Sequence, residues 1–164
     1  MNTSMRLALY QPDQAANTGA IMRLCACLGV ALDIIEPCGF VLDDRRLKRA
    51  GMDYIAHLSL ERHRSWSEFA GQLGLRRLLL LTTKAEMPYH HFAFRADDVL
   101  LLGQESAGVP DHVHARAEAR IKVPIQPGLR SLNVGMAAAI VLSEALRQQE
   151  QYDASISEKH HARA

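Results

Sequence analysis

Residues 121–149 constrain the fold of this chain more than any other stretch. The sequence IKVPIQPGLRSLNVGMAAAIVLSEALRQQ predicts a short strand at 121–123, a loop, and a helix whose first turn carries Ser131 and Asn133. All nine residues from 134 to 142 are apolar. A helix that lies on one core shows a single apolar stripe, and nine residues are too few to span a bilayer. A second surface therefore has to cover this helix, and no membrane is expected.

Polar residues crowd the predicted start of the same helix. Arg130, Ser131 and Asn133 stand where backbone N–H groups lack partners and where the helix dipole is positive. A polar ligand or a developing negative charge is stabilised at such a position. The region is therefore a candidate binding site.

Composition sets the class of protein. The chain has 164 residues, of which 48% are hydrophobic and 23% are charged, as in an ordinary globular domain. A net charge of +1 excludes a protein that coats nucleic acid, so a polyanionic partner has to meet a local basic patch. The N-terminal sequence has no signal-peptide pattern, and a cytoplasmic location is expected. The three cysteines form no CxxC pair, which predicts reduced thiols.

Predicted strands alternate with predicted helices along the chain. This order is typical of an α/β domain with a mostly parallel sheet. One domain is expected over residues 1–152, and residues 153–164 are expected to form a disordered tail. The predicted strands are 6–10, 31–35, 54–58, 77–82, 99–102 and 121–123.

The first predicted helix also has two faces that need covering. Asn17 is expected to cap it, and an i, i+3, i+4, i+7 pattern predicts its core face. The opposite face is small except for Arg23; its other members are Gly19, Ala20, Ala26 and Cys27. Pairing of both helices with their symmetry mates would bury the open faces, so a homodimer is expected. The alternative is that both helices are enclosed within one chain.

A basic stretch follows the second strand. Arg45, Arg46, Lys48 and Arg49 are predicted to share a helical segment and to bind RNA phosphates. A solvated helix face is an equally open interpretation of this stretch.

Familiar cofactor and metal signatures are absent from the sequence. No strand is followed by GxGxxG, no glycine loop ends in Lys-Ser or Lys-Thr, and no serine stands in GxSxG. Two histidine pairs, at 90–91 and at 112 and 114, lack a third ligand at a diagnostic spacing. We expect neither a metal nor a covalent nucleophile.

Three polar, glycine-containing loops follow predicted strands, where parallel sheets bind ligands. They contain NTGAIMR, LGQESAGVP and PGLRSLNVGMAAAIVLSEALRQ. In order and spacing they resemble the three motifs of the SPOUT-superfamily RNA 2′-O-methyltransferases of the TrmH-like class. Two more stretches, IIEPCGFVLDDRRLKRAGMDY and LTTK, resemble the subgroup that methylates the ribose of the wobble nucleotide of tRNA. Gln104 departs from that subgroup, which tends to have proline there.

The resemblance implies an α/β fold with a C-terminal trefoil knot that holds S-adenosylmethionine. It places cofactor contacts, made largely by backbone groups, on Leu81, Gly103, Val123, Ser131 and Leu132. It places the catalytic residues at Arg23, Glu105, Ser131 and Asn133. Plain core packing remains an alternative for the three aliphatic residues. A capping role remains an alternative for Glu105 and Asn133.

The implied reaction is the attack of a ribose 2′-hydroxyl on an activated methyl group. The enzyme's work is then alignment and an increase in the negative character of the hydroxyl. The resemblance assigns activation to Arg23, but a guanidinium stays protonated in proteins, so phosphate fixation and alkoxide stabilisation suit it better than proton abstraction. Methylation of another tRNA or rRNA nucleotide, or RNA binding without turnover, remains an alternative function.

Overall fold

The computed structural model describes residues 4–43, 45 and 54–149. The expected tail at 153–164 lies outside the described residues. The same is true of three members of the basic stretch, Arg46, Lys48 and Arg49.

The described residues form one seven-stranded sheet in which every neighbouring pair of strands is parallel. The strands are β1 (Arg6–Tyr10), β2 (Ala31–Ile35), β3 (Leu60–His63), β4 (Leu78–Leu81), β5 (Met87–Pro88), β6 (Val99–Leu102) and β7 (Ala119–Lys122). Their order across the sheet is β3-β2-β1-β6-β4-β7-β5. The predicted α/β class with a mostly parallel sheet is confirmed.

Helices cover both faces of the sheet. They are α1 (Ala15–Leu28), α2 (Trp66–Gln72), α3 (Asp111–Arg116) and α4 (Val134–Gln148). One core cluster joins α1 and α4 to the sheet, and the other joins α2 and α3. The sequence of strand β6 is a continuous apolar run because both of its faces are buried. Leu100 and Leu102 enter the first cluster, while Val99 and Leu101 enter the second.

The strand predicted at 54–58 is wrong. Residues Ile55–His57 form a short 3₁₀ helix, and the strand is Leu60–His63 instead. This strand stands at one edge of the described sheet, where Glu61 pairs with Arg6 and Arg62 pairs with Glu36. Its charged side chains make ion pairs with neighbouring segments. The strand therefore lacks the apolar run by which the other strands were predicted.

The strand register brings the candidate loops to one edge of the sheet. Leu102 pairs in register with Leu9 on one side and with Leu81 on the other, and Leu81 also pairs with Ile121. The chain therefore leaves β1, β4, β6 and β7 at nearly the same level. Parallel sheets bind ligands at this carboxyl edge.

Two predicted helix starts are wrong in detail. Gln14, not Asn17, stands at the N-cap of α1, and Asn17 lies inside the helix. Helix α4 begins after Asn133, so Ser131 lies in the loop before the helix and not in its first turn. The cause is local, because Asn133 Oδ1 accepts hydrogen bonds from the backbone N–H groups of Gly135 (2.9 Å) and Met136 (3.3 Å).

Candidate active site

A cavity of ≈ 530 Å³ opens at the carboxyl edge of the sheet. The loops after β4, β6 and β7 form most of its wall, and Gln14, the N-cap of α1, and Asn17 in its first turn complete it. The predicted site residues that line it are Leu81, Gly103, Glu105, Val123, Ser131, Leu132 and Asn133. The predicted cofactor residues and three of the four predicted catalytic residues are thus brought together.

Arg23 is the predicted catalytic residue that does not line this cavity. It is exposed on α1, where its Nη2 donates a hydrogen bond to the Tyr54 hydroxyl at 3.3 Å. Its guanidinium carbon lies 4.7 Å from the centre of the Tyr54 ring. Asn17 precedes Arg23 by six residues, which is well over one and a half helical turns, so the two side chains leave α1 in different directions.

Asn17 is the centre of a hydrogen-bond network at the cavity wall. Its amide nitrogen donates to Gln14 Oε1 at 2.9 Å and lies 3.5 Å from Glu105 Oε1. Its amide oxygen accepts a hydrogen bond from Asn133 Nδ2 at 2.9 Å. Sequence reasoning assigned Asn17 to a helix cap and missed this role. The clue was its place as the first residue of the NTGAIMR motif, in the first turn of the helix.

Glu105 and Asp13 form a carboxyl pair beside this network. The backbone N–H of Asp13 donates to Glu105 Oε2 at 3.3 Å, and the Ser106 hydroxyl donates to Asp13 Oδ2. Burial raises the pKa of Glu105, and contact with the Asp13 carboxyl raises it further. The neighbouring Glu105 carboxyl and the hydrogen bond from the Ser106 hydroxyl lower the pKa of Asp13. Glu105 is therefore the member of the pair that keeps its proton to higher pH.

The loop that carries Glu105 is closed tightly on itself. Gln104 and Gly108 exchange two backbone hydrogen bonds, each of 2.9 Å. A Cβ atom added at Gly103 would lie 2.7 Å from the carbonyl carbon of Gly108, and Gly108 itself has a φ of 65°. Glycine is required at both positions because any side chain would open the loop or strain it.

The wall of the cavity is apolar at its base and polar at its rim. Leu81, Leu102 and Val123 supply aliphatic surface, while Glu105 and Asn133 supply hydrogen-bonding groups. Sites for small organic ligands and cofactors have this composition and commonly measure about 300–1,000 Å³. The cavity can therefore hold a ligand with one flat apolar part and one polar part.

A second polar cluster lies away from this cavity. Asp33, Glu61 and His63 offer oxygen and nitrogen atoms within 4.8 Å of one another. Arg6 already bonds Asp33 through Nε at 2.6 Å and Glu61 through Nη2 at 3.1 Å, and His63 Nε2 lies 2.8 Å from Asp33 Oδ1. The arginine occupies the place where a cation would sit, so the cluster is explained as a cross-strand ion network. The expectation that the protein binds no metal stays a prediction.

The outer face of α4 carries exposed apolar side chains. Met136 is 64% exposed and Ile140 is 37% exposed. Ala20 and Cys27 are exposed on the neighbouring helix α1. These side chains are exposed within the described part of the chain, which agrees with the expected homodimer, and that expectation stays a prediction. No helix in that part of the chain is long and apolar enough to cross a membrane.

Residues 4–143 match the SpoU rRNA Methylase family. A protein of Beijerinckia indica subsp. indica named tRNA (cytidine(34)-2′-O)-methyltransferase is 59% identical over 144 residues, which is 87% of this chain and 90% of that protein. A protein of the same name from Escherichia coli (strain K12) is 39% identical over 146 residues, covering 88% of this chain and 93% of that protein.

Solved structures of methyltransferases are also similar to this chain. One, described as structural insights into the 2-OH methylation of C/U34 on tRNA, superposes with a TM-score of 0.84 at 38% identity, covering 90% of this chain and 97% of that chain. An AdoMet-bound rRNA methyltransferase from Sinorhizobium meliloti superposes with a TM-score of 0.80 at 22% identity, covering 90% of this chain and 57% of that chain. The second likeness shows a shared fold.

Proposed function

The chain belongs to the SpoU rRNA methylase family, and from this premise we propose that it methylates the ribose 2′-hydroxyl of the nucleotide at position 34 of tRNA. The methyl donor is S-adenosylmethionine, and the target is cytidine or a modified uridine. The relatives that share the cytidine(34) name match nearly the whole chain, which supports this substrate. The observation that carries the proposal is the single cavity that gathers the predicted cofactor residues with Glu105, Ser131 and Asn133.

The residues that line the cavity suit S-adenosylmethionine. Its volume of ≈ 530 Å³ lies within the range for cofactor sites, and its aliphatic base suits an adenine ring. Gly103 lines the cavity and carries no side chain, so its backbone can approach a ligand closely. We assign the cofactor contacts to Leu81, Gly103, Val123, Ser131 and Leu132. When bound, S-adenosylmethionine supplies a methyl group already activated by its sulfonium centre.

Glu105 and Asn133 have roles at the polar rim of the cavity. Asn133 is the N-cap of α4, and the same side chain donates to Asn17, so capping and site organisation are combined in one residue. We propose that Ser131 and Asn133 orient the ribose and that Glu105 holds the polar wall in place. Alignment of this kind is the main contribution an enzyme makes when the reacting group is already activated.

Arg23 is proposed to act on the cavity of a second subunit. Arg23 is exposed on the same side of α1 as Ala20 and Cys27. Helix α4, which carries the exposed side chains of Met136 and Ile140, packs against α1. A symmetric dimer through this face would bury Met136 and Ile140 and would carry Arg23 towards the partner chain. There it would fix a phosphate of the tRNA and stabilise the forming alkoxide while remaining protonated.

Three further properties belong to the proposal. We propose that α4 and the loops at 102–110 and 124–133 form a trefoil knot, which is supported by the family and by the return of α4 to α1 and β6. Residues 1–152 are proposed as one methyltransferase domain, supported by the family match and the single sheet. A cytoplasmic location is supported by the nature of the substrate.

The basic stretch is proposed as an RNA-docking surface. Arg45 is exposed and helical, and the segment that leads to it contacts the turn between β1 and α1, where Gly39 lies against Asp13. Arg46, Lys48 and Arg49 are its other proposed members. Phosphate contacts by such side chains position a nucleic acid without reading its bases.

Transfer of labelled methyl groups from S-adenosylmethionine into separated tRNA and rRNA tests the proposed function. We expect incorporation into tRNA alone. Incorporation into rRNA would favour the alternative of another RNA target. Cofactor binding without incorporation into any RNA would favour a protein that binds RNA without turnover.

A further inference from the structure

The turn between β1 and α1 carries Asp13, one member of the carboxyl pair. Gln11 adopts a φ of 42°, and its backbone N–H donates to the carbonyl of Ile35 at 2.9 Å. A residue other than glycine keeps this conformation only where its surroundings fix it. The position of the next two residues, Pro12 and Asp13, is therefore set by the sheet and not by the cavity.

Gly39 fixes Asp13 from the opposite side. Its N–H donates to the carbonyl of Pro12 at 2.9 Å. A Cβ atom added at Gly39 would lie 2.8 Å from Asp13 Cβ and 2.9 Å from Asp13 Cα. Contacts this short do not occur in real structures, so an alanine at position 39 would displace Asp13. The segment that leads to Arg45 is therefore in close contact with Asp13 at Gly39.

Asp13 in turn holds the loop that carries Glu105. Its N–H donates to the Glu105 carboxylate, and its Oδ2 accepts from the Ser106 hydroxyl. Its other oxygen, Oδ1, is buried and receives no hydrogen bond within the described part of the chain. A buried acceptor without a donor is costly, so its presence needs a reason. A proton on the neighbouring Glu105 carboxyl can supply the missing donor.

We propose that Asp13 is a positioning residue that fixes the Glu105 carboxyl at the cavity rim and links it to the segment at Gly39. Two of its bonds go to consecutive residues, 105 and 106, of a loop that Gln104 and Gly108 close. The bond from Glu105 continues to Asn17 and then to Asn133. A displacement of Asp13 is thereby transmitted to the polar wall of the site. The part of this inference that concerns turnover rests on the proposed function, while the link itself does not.

The first test compares two substitutions of Asp13. Asp13→Ala removes the acceptor for Ser106, whereas Asp13→Asn keeps an oxygen for Ser106 and adds an amide that can donate to Glu105. We expect hydrogen exchange at the Gln104 and Gly108 amides to accelerate at least about tenfold in Asp13→Ala, as for the loss of one hydrogen bond to a charged group. We expect Asp13→Asn to restore slow exchange. The measurement needs neither cofactor nor RNA.

The second test displaces Asp13 without changing it. Gly39→Ala should accelerate exchange at the same two amides and lower kcat for tRNA at least about tenfold, while the dissociation constant of S-adenosylmethionine changes less than about threefold. Gly71→Ala is the matched control, because a Cβ atom added at Gly71 meets nothing within 4 Å. It should leave exchange and kcat unchanged.

The outcomes separate this inference from the proposed function. Unchanged exchange at Gln104 and Gly108 in both Asp13→Ala and Gly39→Ala would overturn the positioning role, whatever the activity. Faster exchange at these two amides combined with a wild-type kcat would also overturn the positioning role. The loop would then open more often without affecting the function of Glu105. Faster exchange in a protein whose wild type methylates no RNA would support the link and count against the proposed function.

Discussion

Arg23 stacks on Tyr54, with the guanidinium carbon 4.7 Å from the ring centre, and both lie outside the cavity that holds the other predicted catalytic residues. The same guanidinium donates to the Tyr54 hydroxyl at 3.3 Å. Because Arg23 does not line the cavity of its own chain, its proposed catalytic role requires a site formed with another chain. Tyr54 holds it in a defined direction by stacking and by a hydrogen bond.

Arg23→Ala is expected to lower kcat by at least about a hundredfold while the affinity for S-adenosylmethionine stays nearly intact. The reason is that Arg23 does not line the cavity, and its side chain contacts Tyr54 instead. Steady-state kinetics together with calorimetric titration of the cofactor would measure both quantities. Tyr54→Phe is a second variant with a smaller expected effect on kcat, because it keeps the aromatic ring on which Arg23 stacks and removes only the hydroxyl. Equal losses of cofactor binding and turnover in Arg23→Ala would contradict the role given to Arg23.

Ile140→Arg is expected to dissociate the proposed homodimer and to abolish methylation together. The substitution places a charge on an apolar face that the partner chain would bury, and an unpaired charge there is strongly destabilising. Sedimentation equilibrium at micromolar concentration, combined with the methylation assay, checks both effects. Leu75→Arg is a suitable control, because Leu75 is fully exposed on another part of the surface. A monomeric wild type that remains active would exclude the composite site.

Replacement of Arg45, Lys48 and Arg49 by glutamine is expected to weaken tRNA binding and to reduce its dependence on salt. Each lost phosphate contact should lower the slope of log K against log salt concentration by roughly 0.7–0.9. Binding measured at several salt concentrations gives this slope, and a thermal unfolding curve shows whether the fold is intact. If the slope keeps its wild-type value, the stretch is a solvated helix face.

Asp13→Asn is expected to lower the pKa of Glu105. In the folded wild type, contact with Asp13 and burial raise that pKa, so the folded state binds the proton more tightly than the unfolded state. The resulting stabilisation is present below the unfolded pKa and is lost as pH rises through the folded pKa. An amide at position 13 carries no charge and donates to the carboxylate, which favours ionised Glu105. Titration of the Glu105 carboxyl carbon by NMR would measure the change, and a pKa that rises would contradict the carboxyl pair.

The sequence predicted the features that depend on local pattern. Strands Arg6–Tyr10, Ala31–Ile35 and Val99–Leu102 were found as predicted, because buried parallel strands are continuous apolar runs. The edge strand Leu60–His63 was missed, because its stability comes from ion pairs with residues distant in sequence.

The candidate site was predictable only in part for a similar reason. The loops could be recognised by their motifs, so Gly103, Ser131 and Asn133 were found. Asp13 and Asn17 could not be assigned, because their partners Glu105 and Asn133 are about a hundred residues away in sequence. The register of β1 and β6 brings Asp13 and Asn17 to Glu105, and the packing of α4 against α1 brings Asn133 to Asn17. The displacement of Arg23 from the cavity depends on the direction in which one helical side chain points, which no motif records.

Methylation of a defined tRNA tests both the reaction and the position that we propose for this enzyme. Two otherwise identical RNAs would carry cytidine or 2′-deoxycytidine at position 34, and mass spectrometry of nuclease fragments would locate each methyl group transferred from S-adenosylmethionine. We expect one methyl group on the ribose of cytidine 34 and none on the deoxy RNA, because the latter lacks the attacking hydroxyl. Equal methylation of both RNAs, or a methyl group at another nucleotide, would contradict the proposed function.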